Sequence, residues 1–559
     1  MTEVDRTTDY EQLGVSDVLK RYRLAVPPYQ RDYAWDEDQV TRLIEDVAGS
    51  VGREPQHFIG CIVTIKRGAG QLEVVDGQQR LATTALILAA MRIVVGNSNV
   101  NLVKLIESFL FSISGRDLEE HPNLKLNTAD DAVFHSFVTK GVPGPGFSES
   151  RTSHVLLKQA FDTAHSQLRK IMAAPMPDSE KWLPFQDWIE YLQYKTNVIL
   201  LIVASDVNAF RMFETLNARG LQVSQSDLIK NYLFGQSGSK ISQAQNLWTG
   251  MRTALEAIDA DNTLITYIRH VSIVTGGFIQ QKNLYSAIQG ATRGERPSIA
   301  LLSTWESLAP QYAALSNSDS PLWDGFDASL KRNIKVLNLF DIEPLKPLLL
   351  ASAKKMDKKE VVKTFQRAVS IGVRLIIASR TTSQSVEAPL SDVSREIWEG
   401  KITTSAQVID YLMPSIPTNR QFQDAFQVAT VSKSQFARYY LRCLEMALKQ
   451  EPEPWLIPND DAAQITLEHV LPQKPEQNWP NFTDEDVKTY VKRIGNMVLL
   501  KAKTNSNMKS LDFQSKKKQF NSPYETTIMV GKEQDWSPST IVKRQKKLAE
   551  LALIAWPIK

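Results

Sequence analysis

The stretch Leu72–Val95 does most to fix what this chain can fold into. A short apolar run, Leu72-Glu-Val-Val75, ends at Asp76-Gly77, and Gln78–Val95 follows with Leu, Ala, Ile and Met at helical spacing. Strand, sharp turn and helix therefore come in that order. Phe58–Ile65 is a second apolar, β-branched run, and Gly68 and Gly70 lie between the two runs, as a hairpin loop requires. Asn197–Ala204 reads as a further buried strand. Val207–Leu216 reads as a helix stopped by Gly220. Ser224 caps the next helix with Asp227 three residues on, close to a capping box.

The remainder is mostly helical in pattern. Residues 100–195 read as helices broken by a Gly/Pro loop at 141–146, and 240–450 carry long amphipathic patterns without a fixed repeat. A proline-rich stretch at 451–460 precedes a tail of different composition. At 559 residues the chain has room for about two to four domains. The 65 basic side chains nearly balance the 62 acidic ones, which excludes a general polycation but leaves a local basic face open. Such a face occurs between Lys488 and Lys518, where nine Lys or Arg stand against the single acid Asp512. Two distant cysteines, Cys61 and Cys443, fit a reducing compartment. The polar N-terminus is no signal peptide, and no uninterrupted apolar stretch approaches the roughly 18 residues of a membrane span. The expectation is a cytoplasmic protein without a membrane partner.

Asp76–Arg80 is the first polar constellation. Gly77 allows a tight backbone path, and Gln78, Gln79 and Arg80 open a helix whose N-terminal N–H groups favour anions. Arg80 adds a bidentate phosphate clamp, and Asp76 can hold a cation or orient water. A nucleotide or DNA phosphate is the natural ligand. No G-x-x-x-x-G-K-[ST] occurs, so a P-loop is excluded. An aromatic-rich segment, Val26-Pro-Pro-Tyr-Gln-Arg-Asp-Tyr-Ala-Trp35, precedes this site. Taken alone, each motif also suits a structural turn or core packing.

The second constellation is in the tail. His469 is the only histidine after His270, and it sits in Thr466-Leu-Glu-His-Val-Leu-Pro-Gln473. Arg493-Ile-Gly-Asn-Met-Val-Leu-Leu500 follows, then Asn505, Asn507 and the lysine cluster. This order resembles the His-Asn-His (ββα-metal) nucleases. The resemblance places Glu468 on the acidic metal ligand and His469 on the general base. It places Asn496 on the asparagine that fixes the loop and the imidazole, and Asn505 on the last metal position, with Asn507 a second candidate. Oxygen ligands favour Mg²⁺ or Mn²⁺. A base and one cation suffice to cut a phosphodiester, and Lys516, Lys517 and Lys518 are the expected phosphate contacts to DNA.

A third segment, Phe213-Glu-Thr-Leu-Asn-Ala-Arg-Gly-Leu-Gln-Val-Ser224 with Asp227-Leu-Ile-Lys-Asn231, completes a set. With the two N-terminal motifs it resembles the ParB/sulfiredoxin-like domain of GmrSD-type modification-dependent (type IV) restriction enzymes, whose usual partner is a His-Asn-His nuclease. The likeness covers roughly 15–235 and 455–520. It implies NTP binding or hydrolysis at Asp76–Arg80, with Gln30 and Arg31 in the same pocket. Asn217, Arg219 and Lys230 fall in the third segment, without assigned roles. Ala82 departs from the family's usual Thr, at a helix position beyond the phosphate contacts.

The expected fold is thus α+β and predominantly helical. A ParB/sulfiredoxin-like domain spans 1–240 with a helical insertion at about 96–195, a helical region spans 241–450, and the nuclease spans 451–559. The expected function is an anti-phage, metal-dependent DNA endonuclease or nickase, regulated by NTP and by sensing modified DNA. A homodimer would supply two sites for two strands. Two other readings stay open: a nucleotide- or DNA-binding regulator with a vestigial nuclease site, and an enzyme that cuts DNA with its N-terminal domain and only binds it with its tail.

Overall fold

The computed structural model describes residues 8–53, 56–67, 71–113, 119–173, 177, 180–203, 224–258, 260–379, 384–450, 465–475, 478–501, 511–520 and 522–558. The chain forms two compact units. The first comprises 1–268 and 281–310, the second 269–280 and 311–559. The helices expected between the two ends are therefore shared out between the units. Helices dominate, with a small mixed sheet near the N-terminus.

The first unit is organised by that sheet. In chain order its strands are β1 (Thr8–Gly14), β2 (Arg23–Ala25), β3 (His57–Lys66), β4 (Gln71–Asp76), β7 (Leu124–Lys125) and β8 (Thr196–Val203); a separate short pair is β5 (Phe111–Ile113) with β6 (Glu120–Pro122). The lateral order is β1-β8-β3-β4-β2-β7. β3 runs antiparallel to β4 and parallel to β8, so the sheet is mixed. The segment expected to be a helical insertion also supplies β7, at the sheet's edge. The helices of this unit are α1 (Val15–Arg21), α2 (Glu37–Ser50), α3 (Gln78–Val95), α4 (Val100–Leu110), α5 (Asp131–Lys140), α6 (Thr152–Met172), α7 (Leu183–Tyr194), α8 (Gln225–Gln236) and α9 (Ile241–Leu255).

α3 begins and ends at the predicted residues. Gly77, at its N-cap, has φ +94°, a left-handed backbone that glycine adopts without strain. A Cβ there would also stand 2.8 Å from the Ile62 side chain. Gln78–Ser98 is long and apolar enough to cross a bilayer, although polar residues interrupt it; two thirds of it is buried, which makes it the central core helix of the unit. Ser224 caps α8 as expected, accepting a hydrogen bond from the Asp227 N–H at 3.2 Å. The Gly68–Gly70 loop, the helix expected at 207–216 and the proline-rich 451–460 lie outside the described residues.

Among the described residues the second unit is helical apart from one strand pair. β9 (Ile465–His469) runs antiparallel to β10 (Met497–Lys501), with His469 opposite Met497 and Glu468 opposite Val498. A short helix, Phe513–Lys517, and a long one, Pro538–Ala555, follow. Val470, Leu471, Trp479, Val498, Leu500 and Trp536 form the small core behind the pair.

Candidate functional sites

The first site is a cavity of about 660 Å³ in the first unit, into which Gln30, Arg31, Asp76, Gly77, Gln78, Gln79 and Arg80 all face. The two N-terminal motifs are thus brought together, as the sequence reading required. α2 contributes Gln39, Arg42 and Asp46 to one wall, and α8 contributes Asp227 and Asn231 to another.

Arg80 is aimed by the strand beside it. Its Nη1 donates to the Ile59 carbonyl at 2.8 Å, and its Nη2 lies 3.8 Å from Asp76 Oδ2. Gly60, at φ +110°, makes room: a Cβ there would stand 2.2 Å from Arg80 Nη1. The register between β3 and β8 shifts at this point, between Phe58 and Cys61, so a bulge in β3 shapes the Arg80 seat. Asp76 accepts from the Gly77 N–H at 2.8 Å; burial pushes its carboxyl up, against the pull of Arg80.

The two glutamines divide their roles. Gln78 Nε2 donates to the Arg31 carbonyl at 3.1 Å and Gln79 Nε2 to the Asp32 carbonyl at 3.1 Å, while Gln79 Oε1 accepts from the Ala34 N–H at 2.9 Å. Their carboxamides brace the first motif. What they offer an anion is backbone N–H at the start of α3, where no preceding turn supplies partners. Gln30 likewise holds the loop, donating to the Val75 carbonyl at 2.9 Å.

Behind this loop lies a buried ionic network that the motifs did not reveal. Lys230 Nζ reaches Gln30 Oε1 at 2.6 Å and Asp227 Oδ1 at 3.0 Å, and Arg31 Nε lies 3.7 Å from Asp227. Asp32 takes Arg252 and Arg151, each at 2.9 Å, and Arg252 also donates to the Gln30 carbonyl. Asp130 accepts from the Tyr33 N–H at 2.7 Å and from Ser153 at 2.6 Å. Asp32 stands inside the first motif and so was visible, but Arg151, at the N-cap of α6, and Arg252, in α9, belong to no motif. Asn217 and Arg219 lie outside the described residues.

These carboxyls titrate in opposite senses. Burial and the neighbouring Asp32 charge push Asp130 up to about 6. Burial also opposes ionisation at Asp227, but Lys230 and Arg31 outweigh it and hold the group at about 2. Asp32 is likewise lowered, Arg252 and Arg151 overcoming its burial. Asp130 gains a proton on folding between about pH 6 and 4, so stability rises as pH falls through that window. Asp227 and Asp32 lose protons on folding, so stability falls as pH drops from about 4 towards 2. The combined contribution of these three carboxyls to stability is therefore greatest at about pH 4. Thermal melts across pH check this: Asp130→Asn should reduce the slope between pH 4 and 6, and an unchanged slope would contradict the assignment.

The second site is the end of β9. Asn496 is fully buried, and its carboxamide locks the turn after the strand. Its Oδ1 accepts from the Leu471 N–H at 2.8 Å and from Trp536 Nε1 at 3.0 Å, and its Nδ2 donates to the carbonyls of Leu471 at 2.9 Å and Val491 at 3.1 Å. Arg544, on Pro538–Ala555, pins the same stretch from behind. It donates to the carbonyls of Ile494, Gly495, Met497 and Thr526.

Glu468 and His469 are both partly buried. Burial pushes the glutamate up and the histidine down, and Lys516 counters the first shift and adds to the second. The three lysines expected to face DNA part company here. Lys516 is 0% exposed; its ammonium pairs with Glu468 and donates to the His469 carbonyl at 2.9 Å. It belongs to the acid–histidine centre rather than to a displayed basic face, because the short helix turns it inward while Lys518 stays exposed. Lys517 is half-buried and donates to the Glu533 carbonyl at 2.6 Å. Asn505 and Asn507 lie outside the described residues, and among the described residues no three His, Cys, Asp or Glu cluster to hold a metal. Glu468 offers the carboxylate oxygen that a hard cation takes, and the Lys516 ammonium paired with it would compete with such a cation for it.

Residues 15–234 match the family model for the N-terminal domain of the GmrSD restriction endonuclease, and residues 416–551 match that for the C-terminal domain of the GmrSD restriction endonucleases. The chain is a restriction endonuclease, an enzyme that cuts DNA in anti-phage defence. Within that class it belongs to the GmrSD family and carries both domains in one polypeptide. No curated protein matches it.

Proposed function

We propose that the enzyme hydrolyses DNA phosphodiesters at Glu468–His469, in a ββα-metal centre, under control of an NTP held in the cavity of a ParB/sulfiredoxin-like domain. The observation that carries the nuclease half is the Asn496 lock: two strands and a following helix hold an acid–histidine pair at a turn that one asparagine fixes on both sides.

The steps follow from these side chains. An imidazole nitrogen of His469 takes the proton of the attacking water, whose oxygen bonds to phosphorus as the bond to the leaving oxygen breaks. Burial favours the neutral imidazole, the form a base needs. Glu468, with Asn505 by resemblance, would hold Mg²⁺ or Mn²⁺, which when bound supplies charge stabilisation to the phosphate and leaving oxygen. Asn496 keeps His469 at the strand end. Lys518, exposed, contacts backbone phosphate without reading sequence. In the first unit Arg31, Arg80 and the start of α3 take the phosphates of the NTP. We assign sensing of modified DNA to this same domain, and activity to the cytoplasm.

Supercoiled-plasmid cleavage tests this reading, on plain and modified DNA, with and without NTP. Cleavage should require Mg²⁺ or Mn²⁺ and disappear with EDTA. Robust cleavage in EDTA would overturn the metal mechanism. No cleavage under any of these conditions would favour a regulator with a vestigial nuclease site.

A further inference from the structure

Anion binding accounts for the charged part of the cavity but leaves Phe58 unexplained. Phe58 lines the cavity and is 55% exposed. Among the described residues it is the only phenylalanine on the exposed side of the burial scale; the other phenylalanines are buried or half-buried. Its place in the chain is equally specific. It directly precedes Ile59, whose carbonyl takes Arg80, and Gly60, whose missing side chain seats Arg80. The bulge that seats the arginine therefore also carries an exposed aromatic ring on the lining of the same cavity. Trp35 and Leu43 add apolar surface to the same cavity, which at about 660 Å³ lies within the usual range for a small-molecule site.

We infer that Phe58 is the platform on which the base of the bound nucleotide stacks, with its phosphates directed to Arg80, Arg31 and the first N–H groups of α3. Every nucleobase has a π-face, and an exposed aromatic ring in the same cavity as a guanidinium is what a base joined to phosphates can use at both ends. This rests on the NTP reading above and extends it: the cavity recognises the nucleoside as well as the polyphosphate.

Equilibrium binding to the full-length protein in Mg²⁺ separates the two ideas, with each of the four NTPs and inorganic triphosphate as probes. Wild type should bind at least one NTP more tightly than triphosphate. Phe58→Ala and Phe58→Leu should weaken that NTP about 5- to 150-fold, the range of base–aromatic stacking, and leave triphosphate unchanged. Phe58→Trp should restore it, which loss of mere apolar filling would not predict for Leu. An NTP affinity that survives Phe58→Ala overturns the stacking platform while leaving the NTP reading intact. Parallel loss of NTP and triphosphate also overturns it, because Phe58 would then only shape the cavity. Failure of wild type to bind any NTP overturns both readings.

Discussion

His469→Ala should lower DNA cleavage about 10²- to 10⁴-fold, the usual worth of a positioned general base, while NTP binding and the melting temperature stay near wild type. The imidazole ends β9 and is only partly buried, so the strand pair and the Asn496 lock do not depend on it. The cavity proposed to take the NTP lies in the other unit and reports separately on it. Gel assays of plasmid nicking, alongside NTP titration, check all three quantities. If cleavage survives His469→Ala but is lost in Asp76→Ala, the chemistry belongs to the N-terminal cavity and the assignment of the two sites is reversed. Arg80→Ala would then be equally damaging, whereas in the present reading it lowers NTP affinity first.

Arg544→Met should destabilise the second unit by about 1–3 kcal/mol, since it strips the guanidinium donors from four buried carbonyls. Against the about 5–15 kcal/mol typical of a folded domain, that is a large share. Arg544→Lys should recover only part of the loss, because a single ammonium cannot span the carbonyls that a planar guanidinium fork reaches. Urea denaturation, read by hydrogen exchange at β9 and β10, distinguishes this from an effect on the first unit. An Arg544→Met chain with wild-type stability would mean that these carbonyls find water instead.

The local signals in the sequence were strong where the chemistry is local. Gly77 and the apolar period of Gln78–Val95 place α3, Ser224 caps α8, and Glu468–His469 falls at a strand end opposite the strand that Asn496 precedes. What could not be read is tertiary. Lys516, Lys517 and Lys518 are adjacent and look alike, and only Glu468, 48 positions earlier, decides which of them turns inward. Gln78 and Gln79 lie in a motif that suggests phosphate, yet their side chains are spent on a loop 47 positions before them. Arg151 and Arg252 meet Asp32 across 119 and 220 positions, from segments that carry no sign of it. The seat of Arg80 depends on a bulge, and one extra residue in a strand leaves no trace in a pattern of apolar residues.

The clamp that Arg544 places on the turn before β10 also sets an order of events during synthesis. That turn leaves the ribosome 49 to 50 residues ahead of the arginine that holds its Ile494 and Gly495 carbonyls. At translation rates of about 5–20 residues per second, Glu468, His469 and Asn496 are all polymerised for seconds before that support exists. A newborn chain therefore passes through a stage in which the residues of the proposed cutting centre are present and the frame that aligns them is not, so on that proposal competence to cut DNA arrives late in the life of the nascent polypeptide.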